Sequence, residues 1–323
     1  MTKLALVIGA TGGVGGAVAE RLVAEGWRVR AMNRDPDAAR VGRETLEWVK
    51  GDAMIEADVV AAAEGVSLIV HGANPPGYRN WAGLQLPMLS ATIAAAKASG
   101  ARIVFPGTVY NYGPDAFPSI DEAAPQTPIS RKGAIRVQME QALLQAAADG
   151  VKVLIVRAGD FFGPKPGNNW FSQGLVKPGK PIAAVSYPGP LSIPHCWAYL
   201  PDLAETMVRL ATNSEGLADF ETFHMQGQTL TGEALVEALS HAAGRKLTAH
   251  RLPWIAIKAM SPFNETMREM LEMRYLWERP VLLDNSKLVA RLGAEPRTPI
   301  VEALKTALAG IDALPRPTLK LAA

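Results

Sequence analysis

The 323-residue sequence lacks several features that would place a protein in a broad class at once. It contains one cysteine, Cys196, so it can form no internal disulfide, and we expect a reducing compartment. Its 33 basic and 31 acidic residues nearly balance, which leaves no dense positive surface for nucleic acid or anionic lipid. No apolar run approaches membrane-spanning length, and the N-terminal run Leu4–Ile8 is too short for the core of a signal peptide. We therefore expect a cytoplasmic protein with no nucleic-acid or membrane partner.

Metal-ligand patterns are missing as well. The five histidines show no H-x-x-x-H spacing, and a single cysteine rules out a C-x-x-C pair. We therefore expect no metal site, and we interpret each histidine as a core or surface residue. These residues are His71, His195, His224, His241 and His250.

Short apolar runs alternate with alanine-rich stretches through the first half of the chain. Continuous Val/Ile/Leu strands separated by helices are typical of a parallel sheet that is covered on both faces. The sequence thus predicts a doubly wound, Rossmann-like α/β fold. The predicted strands are Leu4–Ile8, Arg28–Met32, Leu46–Val49, Leu68–His71, Arg102–Phe105 and Val151–Val156, and the predicted helices include Ala17–Glu25, Leu84–Ser99 and Val137–Ala148.

The sequence becomes irregular after this alternation. Residues 163–194 are rich in glycine, proline and aromatic side chains, and insertions at the carboxyl ends of parallel strands usually form the substrate side of a cleft. A helix at Leu203–Ala211 and a strand at Phe220–Gln226 are expected to return to the sheet. From Thr231 onward we expect helices, most clearly Leu288–Leu292 and Ile300–Leu308.

Two parts of the chain follow from this organisation. Residues 1–163 and 196–227 are expected to form the dinucleotide-binding domain. Residues 164–195 and 228–323 are expected to form a smaller, mainly helical substrate lobe.

A glycine-rich turn follows the first predicted strand directly. In G-A-T-G-G-V-G, Gly9 permits a tight strand-to-helix turn, Gly12 lets the backbone approach a pyrophosphate, and Gly15 allows close helix–strand packing. The turn opens a helix, whose N-terminus favours an anion, so the pattern predicts dinucleotide binding rather than an ordinary turn. The residues expected to contact the cofactor here are Gly9, Thr11, Gly12, Gly13, Val14 and Gly15.

This opening resembles that of the extended short-chain dehydrogenase/reductases, the epimerase/dehydratase-like group. The resemblance covers almost the whole chain. F-P-G-T-V-Y-N-Y-G at residues 105–113 is similar to the family's S-S-x-x-V-Y-G, R-A-G-D-F-F-G-P at 157–164 is similar to R-P-x-N-x-Y-G-P, and W-A-Y-L-P-D at 197–202 is similar to F-I-H-V-x-D. The resemblance implies an enzyme with a small-molecule substrate and, as is common in the family, a homodimer.

The end of the second strand indicates which cofactor to expect. An acidic residue there would hold both ribose hydroxyls of NAD, whereas this chain has Asn33 followed by Arg34, whose guanidinium can pair with a 2′-phosphate. We therefore expect NADP, with NAD as the alternative if Arg34 is a solvated residue whose charge Asp35 partly cancels. The resemblance places Asp52 at the usual adenine-contacting position and Ala73 beside the middle of the cofactor, although both can be turn residues.

The family's usual proton donor is missing, because none of the six tyrosines has a lysine four residues later. Aligning the family pattern Y-G-x-x-K-x-x-x-E with K-G-A-I-R-V-Q-M-E places Lys132 at the tyrosine and Arg136 at the lysine. Four-residue spacing predicts that both side chains point toward one cleft. By resemblance Arg136 holds the nicotinamide ribose and supplies positive charge. Lys132 either donates a proton, with its pKa lowered by burial and nearby charge, or lies on a solvated helix face.

Two hydroxyl groups are further candidates for the chemistry. The resemblance puts Thr108 at the position of the family's substrate-binding serine, where a hydroxyl can donate to a carbonyl or a developing alkoxide; otherwise it bonds to local backbone. Tyr110 stands where sugar-dehydrating members carry an acidic residue. It is either a replacement proton donor or an aromatic wall of the pocket, and the missing acidic pair argues against sugar dehydration.

Three residues are expected to contact the substrate. Asp160 stands where the family usually has asparagine, and Asn169 and Trp170 lie where the substrate lobe begins, within N-N-W-F at residues 168–171. These side chains suit a flat, partly polar ligand. A capped helix start also explains the segment that contains Asn168 and Asn169.

Three functions are consistent with these residues. The one we expect is an NADP-dependent oxidoreductase acting on a carbonyl, an alcohol or an activated double bond, with Tyr110 or Lys132 as proton donor and Thr108 as orienting donor. The second is a redox isomerase or epimerase that returns its hydride to the same substrate. The third is a non-catalytic NADP(H)-sensing protein, which the altered signature suggests.

Overall fold

The computed structural model describes residues 3–75, 80–165, 167 and 169–314. Its strands are short and mostly apolar. They are β1 (Leu4–Ile8), β2 (Arg28–Asn33), β3 (Glu47–Lys50), β4 (Leu68–His71), β5 (Arg102–Thr108), β6 (Ser119–Ile120), β7 (Val153–Ala158), β8 (Asp160–Phe162), β9 (Ala184–Tyr187), β10 (Pro194–Tyr199), β11 (Phe220–His224), β12 (Gln228–Thr231), β13 (Thr248–Arg251) and β14 (Leu282–Leu283).

Seven of these strands form the central sheet, in the order β11-β7-β5-β4-β1-β2-β3. Every neighbouring pair in it is parallel. The predicted doubly wound fold is therefore confirmed, and the predicted strands of the sheet occur with small shifts at their ends. Since β1 lies between β2 and β4, the direction of winding reverses there, and a crevice opens at the carboxyl ends of the strands.

Helices cover the sheet and continue into the C-terminal part. They are α1 (Gly13–Ala24), α2 (Pro36–Arg40), α3 (Glu56–Ala62), α4 (Trp81–Ser99), α5 (Arg131–Ala148), α6 (Leu200–Thr212), α7 (Gly232–Ala243), α8 (Trp254–Met260), α9 (Glu265–Glu272), α10 (Ser286–Leu292) and α11 (Ile300–Gly310). None of the described helices is both long and apolar enough to cross a membrane.

Strand β1 shows how the two faces of the sheet are buried. Ala5 and Val7 belong to the cluster that includes α1 and α6, whereas Leu6 and Ile8 belong to the cluster that includes α3, α4 and α5. A strand alternates its side chains between faces, so four consecutive apolar residues serve both layers. Burying each of the larger side chains contributes about 1.5–3 kcal/mol.

A third apolar cluster lies in the C-terminal half, where Trp277, Phe171 and Leu304 are buried. It also takes in Tyr112 and Trp197, which come from the ranges assigned to the dinucleotide-binding domain. The boundary between the two parts therefore stays a prediction. The structure shows that both ranges contribute side chains to this one cluster.

The expectation of helices alone beyond Thr231 is wrong. The strands β13 and β14 lie in that region and pair with β9 and β6. Each has only two to four residues and gains its hydrogen bonds from a partner far away in the chain. Periodicity within such a short segment carries no signal for this pairing.

Candidate active site

A cleft of about 500 Å³ opens at the carboxyl ends of β1, β4, β5 and β7. It contains most of the residues that the sequence singled out. Gly9, Thr11, Gly12, Gly13, Val14, Arg34, Ala73, Thr108, Tyr110, Arg136, Asp160 and Asn169 all line it.

The glycine turn forms one wall of the cleft. Gly9 has φ +86°, and a Cβ on it would stand 2.5 Å from the carbonyl oxygen of Gly72. Gly15 does not line the cleft; it packs so closely against Gly9 that a Cβ would overlap the Gly9 carbonyl. Gly12 caps α1 without a side-chain hydrogen bond, so the helix N-terminus faces the cleft with its first N–H groups. This arrangement suits a phosphate group.

Arg34 reaches the cleft from the end of β2. Its exposed side chain lines the cavity. The neighbouring Asp35 carboxylate accepts a hydrogen bond from the N–H of Ala38 at 3.1 Å and so caps α2. The side-chain oxygen of Asn33 accepts from the N–H of Asp35 at 2.9 Å and shapes the turn, and Asn33 is not part of the cleft wall.

Asp52 and Ala73 have different surroundings. Ala73 lines the cleft beside Gly72. Asp52 lies outside the lining, and its carboxylate accepts a hydrogen bond from the N–H of Met54 at 3.0 Å. The turn interpretation therefore accounts for the carboxylate contact of Asp52.

Thr108 and Tyr110 stand together at the end of β5. The Thr108 hydroxyl oxygen accepts a hydrogen bond from the backbone N–H of Tyr110 at 3.3 Å, which starts a short 3₁₀ turn at Val109–Asn111. The half-buried Tyr110 lines the cleft. Gly133 of α5 packs under this turn, where a Cβ would overlap the Tyr110 carbonyl. The glycine in K-G-A-I-R thus lets α5 approach the Tyr110 turn closely.

Arg136 is buried in the cleft wall. Its guanidinium donates to the carbonyl oxygen of Pro106 at 3.3 Å. It also lies 5.3 Å from the ring centroids of both Phe105 and Trp81. These contacts hold a permanent positive charge at one place in the cleft.

Lys132 does not line the cleft, although its Nζ lies 5.7 Å from the ring centroid of Trp81, which does. Its side chain is only 4% exposed, and its Nζ lies 3.2 Å from a carboxylate oxygen of Glu269 in α9. Burial lowers the pKa of Lys132, while Glu269 acts in the opposite direction. Arg136 lies over the same Trp81 ring, so the role of Lys132 as a proton donor stays a prediction. The alternative of a solvated helix face is wrong, since the residue is buried.

Asp160 and His195 form a pair that the sequence did not suggest. Asp160 lines the cleft and is 6% exposed, and one of its carboxylate oxygens lies 2.7 Å from Nε2 of the 3% exposed His195. Strands β8 and β10 are parallel neighbours, with Asp160 paired to Trp197. The two side chains are 35 residues apart in the chain, so no local spacing points to the pair. The only sequence signal was Asp160 itself, at a position where the family usually has asparagine.

His71 is a second histidine at this site, at the end of β4. Its Nδ1 lies 2.7 Å from the hydroxyl oxygen of Thr92, which itself donates to the carbonyl of Met88 at 3.0 Å. Nδ1 therefore carries the proton and Nε2 is an acceptor. Burial, followed by the charge of Arg136, lowers the pKa of His71 to about 3, so the ring is neutral.

Of the predicted substrate residues in the C-terminal part, Asn169 lines the cleft and Trp170 does not. Asn169 lines the cleft, and its side-chain oxygen accepts hydrogen bonds from the N–H and the hydroxyl of Ser172, as in the capping interpretation. Trp170 is buried against Trp277, with ring centroids 5.4 Å apart, and lies outside the cleft wall. Asn168 lies outside the described residues.

No group of three or more His, Cys, Asp or Glu side chains in the described ranges is placed to hold a metal ion.

A buried ion pair between Arg157 and Glu140 lies behind the cleft wall at the end of β5. Arg157, 1% exposed, donates to Glu140 of α5 at 2.6 Å and to the carbonyl oxygen of Thr108 at 2.6 Å. Its Nε also donates to Nε2 of His224 at 3.2 Å. Burial, then the charge of Arg157, lowers the pKa of His224 to about 3, which keeps this ring a neutral acceptor. The end of β5, α5 and β11 are thereby tied to one guanidinium.

Comparison with known proteins agrees with this architecture. A model of the NAD dependent epimerase/dehydratase family matches residues 5–224. The fold is similar to that of UDP-glucose-4-epimerase from Stenotrophomonas maltophila with bound NAD and formylated UDP-arabinopyranose, at 17% identity and TM-score 0.73 over 97% of this chain and 98% of that one. It is similar to UDP-glucuronic acid 4-epimerase from Bacillus cereus in complex with NAD, at 15% identity and TM-score 0.75 over 96% and 98% of the two chains. It is also similar to the enzyme WbmH from Bordetella bronchiseptica in complex with NAD+, at 20% identity and TM-score 0.69 over 97% and 99%. No curated protein matches the chain.

Proposed function

Because the chain belongs to the NAD dependent epimerase/dehydratase family and is therefore an enzyme, we propose that it is an NADP-dependent oxidoreductase. Its substrate in this proposal is a small carbonyl compound, an alcohol or an activated double bond. One observation carries the proposal: a single cleft joins the glycine turn and Arg34 to Thr108, Tyr110 and Arg136. The first group suits a dinucleotide, and the second suits proton and charge transfer to an oxygen.

The residues of the cleft fit a nicotinamide dinucleotide. Gly9 lets the ends of β1 and β4 approach closely, and in the proposal the open N-terminus of α1 accepts the pyrophosphate. In the proposal, Ala73 lies along the middle of the cofactor, and Arg136 supports its nicotinamide half. When bound, this cofactor supplies the donor or acceptor of a hydride.

We propose NADP rather than NAD on account of Arg34. Its guanidinium lines the cleft at the end of β2, where the adenosine ribose is expected, and Asp35 is engaged in capping α2. A guanidinium pairs well with a 2′-phosphate, whereas the ribose hydroxyls of NAD call for a carboxylate. The similar structures described above contain NAD, so this preference is specific to the proposal for this chain.

Replacing Arg34 with alanine is expected to weaken NADPH binding roughly 10-fold and to leave NADH binding unchanged, because one charge-assisted contact to the 2′-phosphate is lost. Fluorescence titration of both reduced cofactors measures the two affinities. Arg40→Ala, which removes another exposed arginine nearby in α2, serves as the control. Equal weakening of NADPH and NADH would contradict the role of Arg34.

Thr108, Tyr110 and Arg136 supply the chemistry at the substrate oxygen. The Thr108 oxygen already accepts from the Tyr110 N–H, so its own proton is directed to another acceptor, which we propose is the substrate oxygen. The Tyr110 phenol is the proposed proton donor. The charge of Arg136 stabilises negative charge that develops on that oxygen. Lys132 is paired with Glu269 and does not itself line the cleft, so we propose Tyr110 rather than Lys132 as the proton donor.

Tyr110→Phe is expected to lower kcat by about 10²–10⁴-fold, the usual contribution of a positioned general acid, with little change in cofactor affinity. The measurement is the change in cofactor absorbance with a panel of aldehydes, ketones, alcohols and enones. Tyr275→Phe is the matched control, since that phenol donates to the backbone carbonyl of Tyr112 at 3.0 Å and does not line the cleft. Full activity of Tyr110→Phe would remove Tyr110 from the mechanism.

A redox isomerase or epimerase is the second candidate, and the observation that favours it is the similarity to two 4-epimerase structures. Such an enzyme would retain oxidised cofactor through purification and show no net absorbance change during turnover. A requirement for added reductant would exclude it. The family consists of enzymes, which argues against the third function, a non-catalytic NADP(H)-sensing protein.

A further inference from the structure

Asp160 is the one carboxylate that lines the cleft among the described residues. It stands at the start of β8, directly after β7, and is almost completely buried. A buried carboxylate is costly unless it is hydrogen-bonded, and here the bond comes from His195. The proposed transfer of a hydride and a proton at a carbonyl uses Thr108 and Tyr110. It gives the Asp160–His195 pair no role.

The pair is held rigidly. His195 lies on β10, the parallel neighbour of β8, and its ring is stacked on Trp277 with centroids 4.0 Å apart and planes at 11°. Trp197 packs against the same ring from its edge, at 5.3 Å. Nε2 faces Asp160, while Nδ1 is buried and has no hydrogen-bond partner among the described residues. A carboxylate bonded to an oriented imidazole is a common arrangement for accepting and returning a proton.

The surrounding groups do not compete for that proton. Burial, followed by the charge of Asp160, raises the pKa of Tyr187 on β9, so this phenol stays neutral. Burial also raises the pKa of the Cys196 thiol on β10. The other charged side chains of the cleft wall, Arg34 and Arg136, cannot give up a proton in the accessible pH range.

We propose that Asp160 and His195 form a second proton-transfer site of the cleft, which exchanges a proton with the carbon next to the substrate carbonyl. This rests on the proposed function, because it requires a carbonyl whose oxygen is held by Thr108 and Tyr110. The C–H bond breaks, its electron pair moves into an enolate, and the proton passes to the pair. Return of the proton to the same carbon restores the carbonyl, and nothing is oxidised or reduced in this step.

The pair therefore defines a substrate class. A carbonyl compound with a hydrogen on the adjacent carbon, such as an α-hydroxy ketone, can use both sites: its oxygen binds at Thr108 and Tyr110, and its C–H bond faces the Asp160–His195 pair. A carbonyl compound without such a hydrogen can use only the first site. Enolate formation also needs charge stabilisation at the carbonyl oxygen, which Thr108, Tyr110 and Arg136 are placed to provide.

Deuterium incorporation tests the proposal directly. The protein loaded with NADP+ is incubated in D2O with acetoin or dihydroxyacetone, and deuterium at the carbon next to the carbonyl is measured by NMR. We expect exchange at least 10-fold above buffer for the wild type and a return to the buffer rate in both Asp160→Asn and His195→Asn. His241→Asn, at an exposed site paired only loosely with Glu237 at 4.0 Å, is expected to retain full exchange. NADPH affinity and thermal melting show that the variants are folded.

A second measurement does not depend on any substrate. In protein labelled at histidine nitrogens, we expect the ring-nitrogen NMR signals of His195 to differ between the NADP+ and NADPH complexes, because the nicotinamide ring changes charge near the Asp160–His195 pair. Asp160→Asn should shift the Nε2 signal in both complexes, because the contact with the carboxylate is lost. His224 serves as the internal control, since it does not line the cleft.

The outcomes separate this proposal from the proposed function. Net cofactor turnover without deuterium incorporation would overturn the second proton site and leave the oxidoreductase in place. Deuterium incorporation without net turnover would support the pair and overturn the oxidoreductase. If neither reaction occurs with these probes, the NMR signals of His195 decide: ring-nitrogen signals that respond to the redox state of the cofactor support the pair, and unchanged signals overturn it.

Discussion

Glu140→Ala is expected to lower the free energy of unfolding by about 3–5 kcal/mol, the usual cost of leaving one member of a buried ion pair alone. Arg157 would keep its charge, because a guanidinium does not lose its proton at accessible pH. Its remaining partners, the Thr108 carbonyl and His224, are neutral acceptors. Gln126, whose side-chain amide donates to Glu140 at 2.9 Å, would lose that bond as well.

Chemical denaturation of wild type and variant measures this change. The matched control is Lys97→Ala, which breaks the Lys97–Asp149 pair. This pair is 2.8 Å long, against 2.6 Å for the buried pair, but both of its side chains are nearly half exposed. Exposed pairs contribute about 0–1 kcal/mol, so the control should differ little from wild type. If Glu140→Ala were as mild as Lys97→Ala, the buried cluster would not be a support of the cleft wall. Arg157→Met/Glu140→Leu, which removes both charges, is expected to recover part of the loss.

Gly9→Ala is expected to abolish cofactor binding, with an affinity loss of at least about 10²-fold, as a displacement of about 1 Å in a binding site produces. Two effects combine at this residue. Its φ of +86° is unfavourable for alanine by about 1–2 kcal/mol. In addition, the Cβ would meet the Gly72 carbonyl at 2.5 Å, so the ends of β1 and β4 must separate. Both strand ends form the floor of the cleft.

Gly100→Ala isolates the first effect. Gly100 has φ +73° at the end of α4, and a Cβ there would meet nothing within 4 Å. We expect this variant to lose about 1–2 kcal/mol of stability and to bind NADPH like the wild type. Fluorescence titration and denaturation of the two variants give the comparison. Normal NADPH binding by Gly9→Ala would show that the glycine turn does not contact the cofactor.

Much of the fold could be predicted because its signals are local. Four apolar residues in a row, as at Leu6 and its neighbours, indicate a strand buried on both faces, and the glycine turn marks where the sheet meets its first helix. Arg34, Thr108 and Tyr110 line the cleft, and each lies at or just after the end of a strand of the parallel sheet. Carboxyl ends of parallel strands meet at one edge whatever the details of packing.

The remaining errors concern partners that lie far away in the chain. Helical spacing put Lys132 and Arg136 on similar faces, but it could not reveal that Glu269, 137 positions later, would take up the lysine. His195 looked like an ordinary core histidine because Asp160 becomes its partner only through the pairing of β8 and β10. Such pairings depend on the C-terminal lobe, where short strands and irregular loops leave little periodic signal.

The contact between Lys132 and Glu269 also limits which substitutions position 132 can accept. Restoring the family's tyrosine with Lys132→Tyr would remove the ammonium from a largely buried carboxylate, and a phenol does not neutralise that charge. The substitution becomes tolerable only together with a change at Glu269, such as Glu269→Gln. The departure from Y-x-x-x-K is therefore not a single reversible mutation. It is one half of a coupled pair, and the other half lies in α9, a helix that forms no part of the described cleft wall.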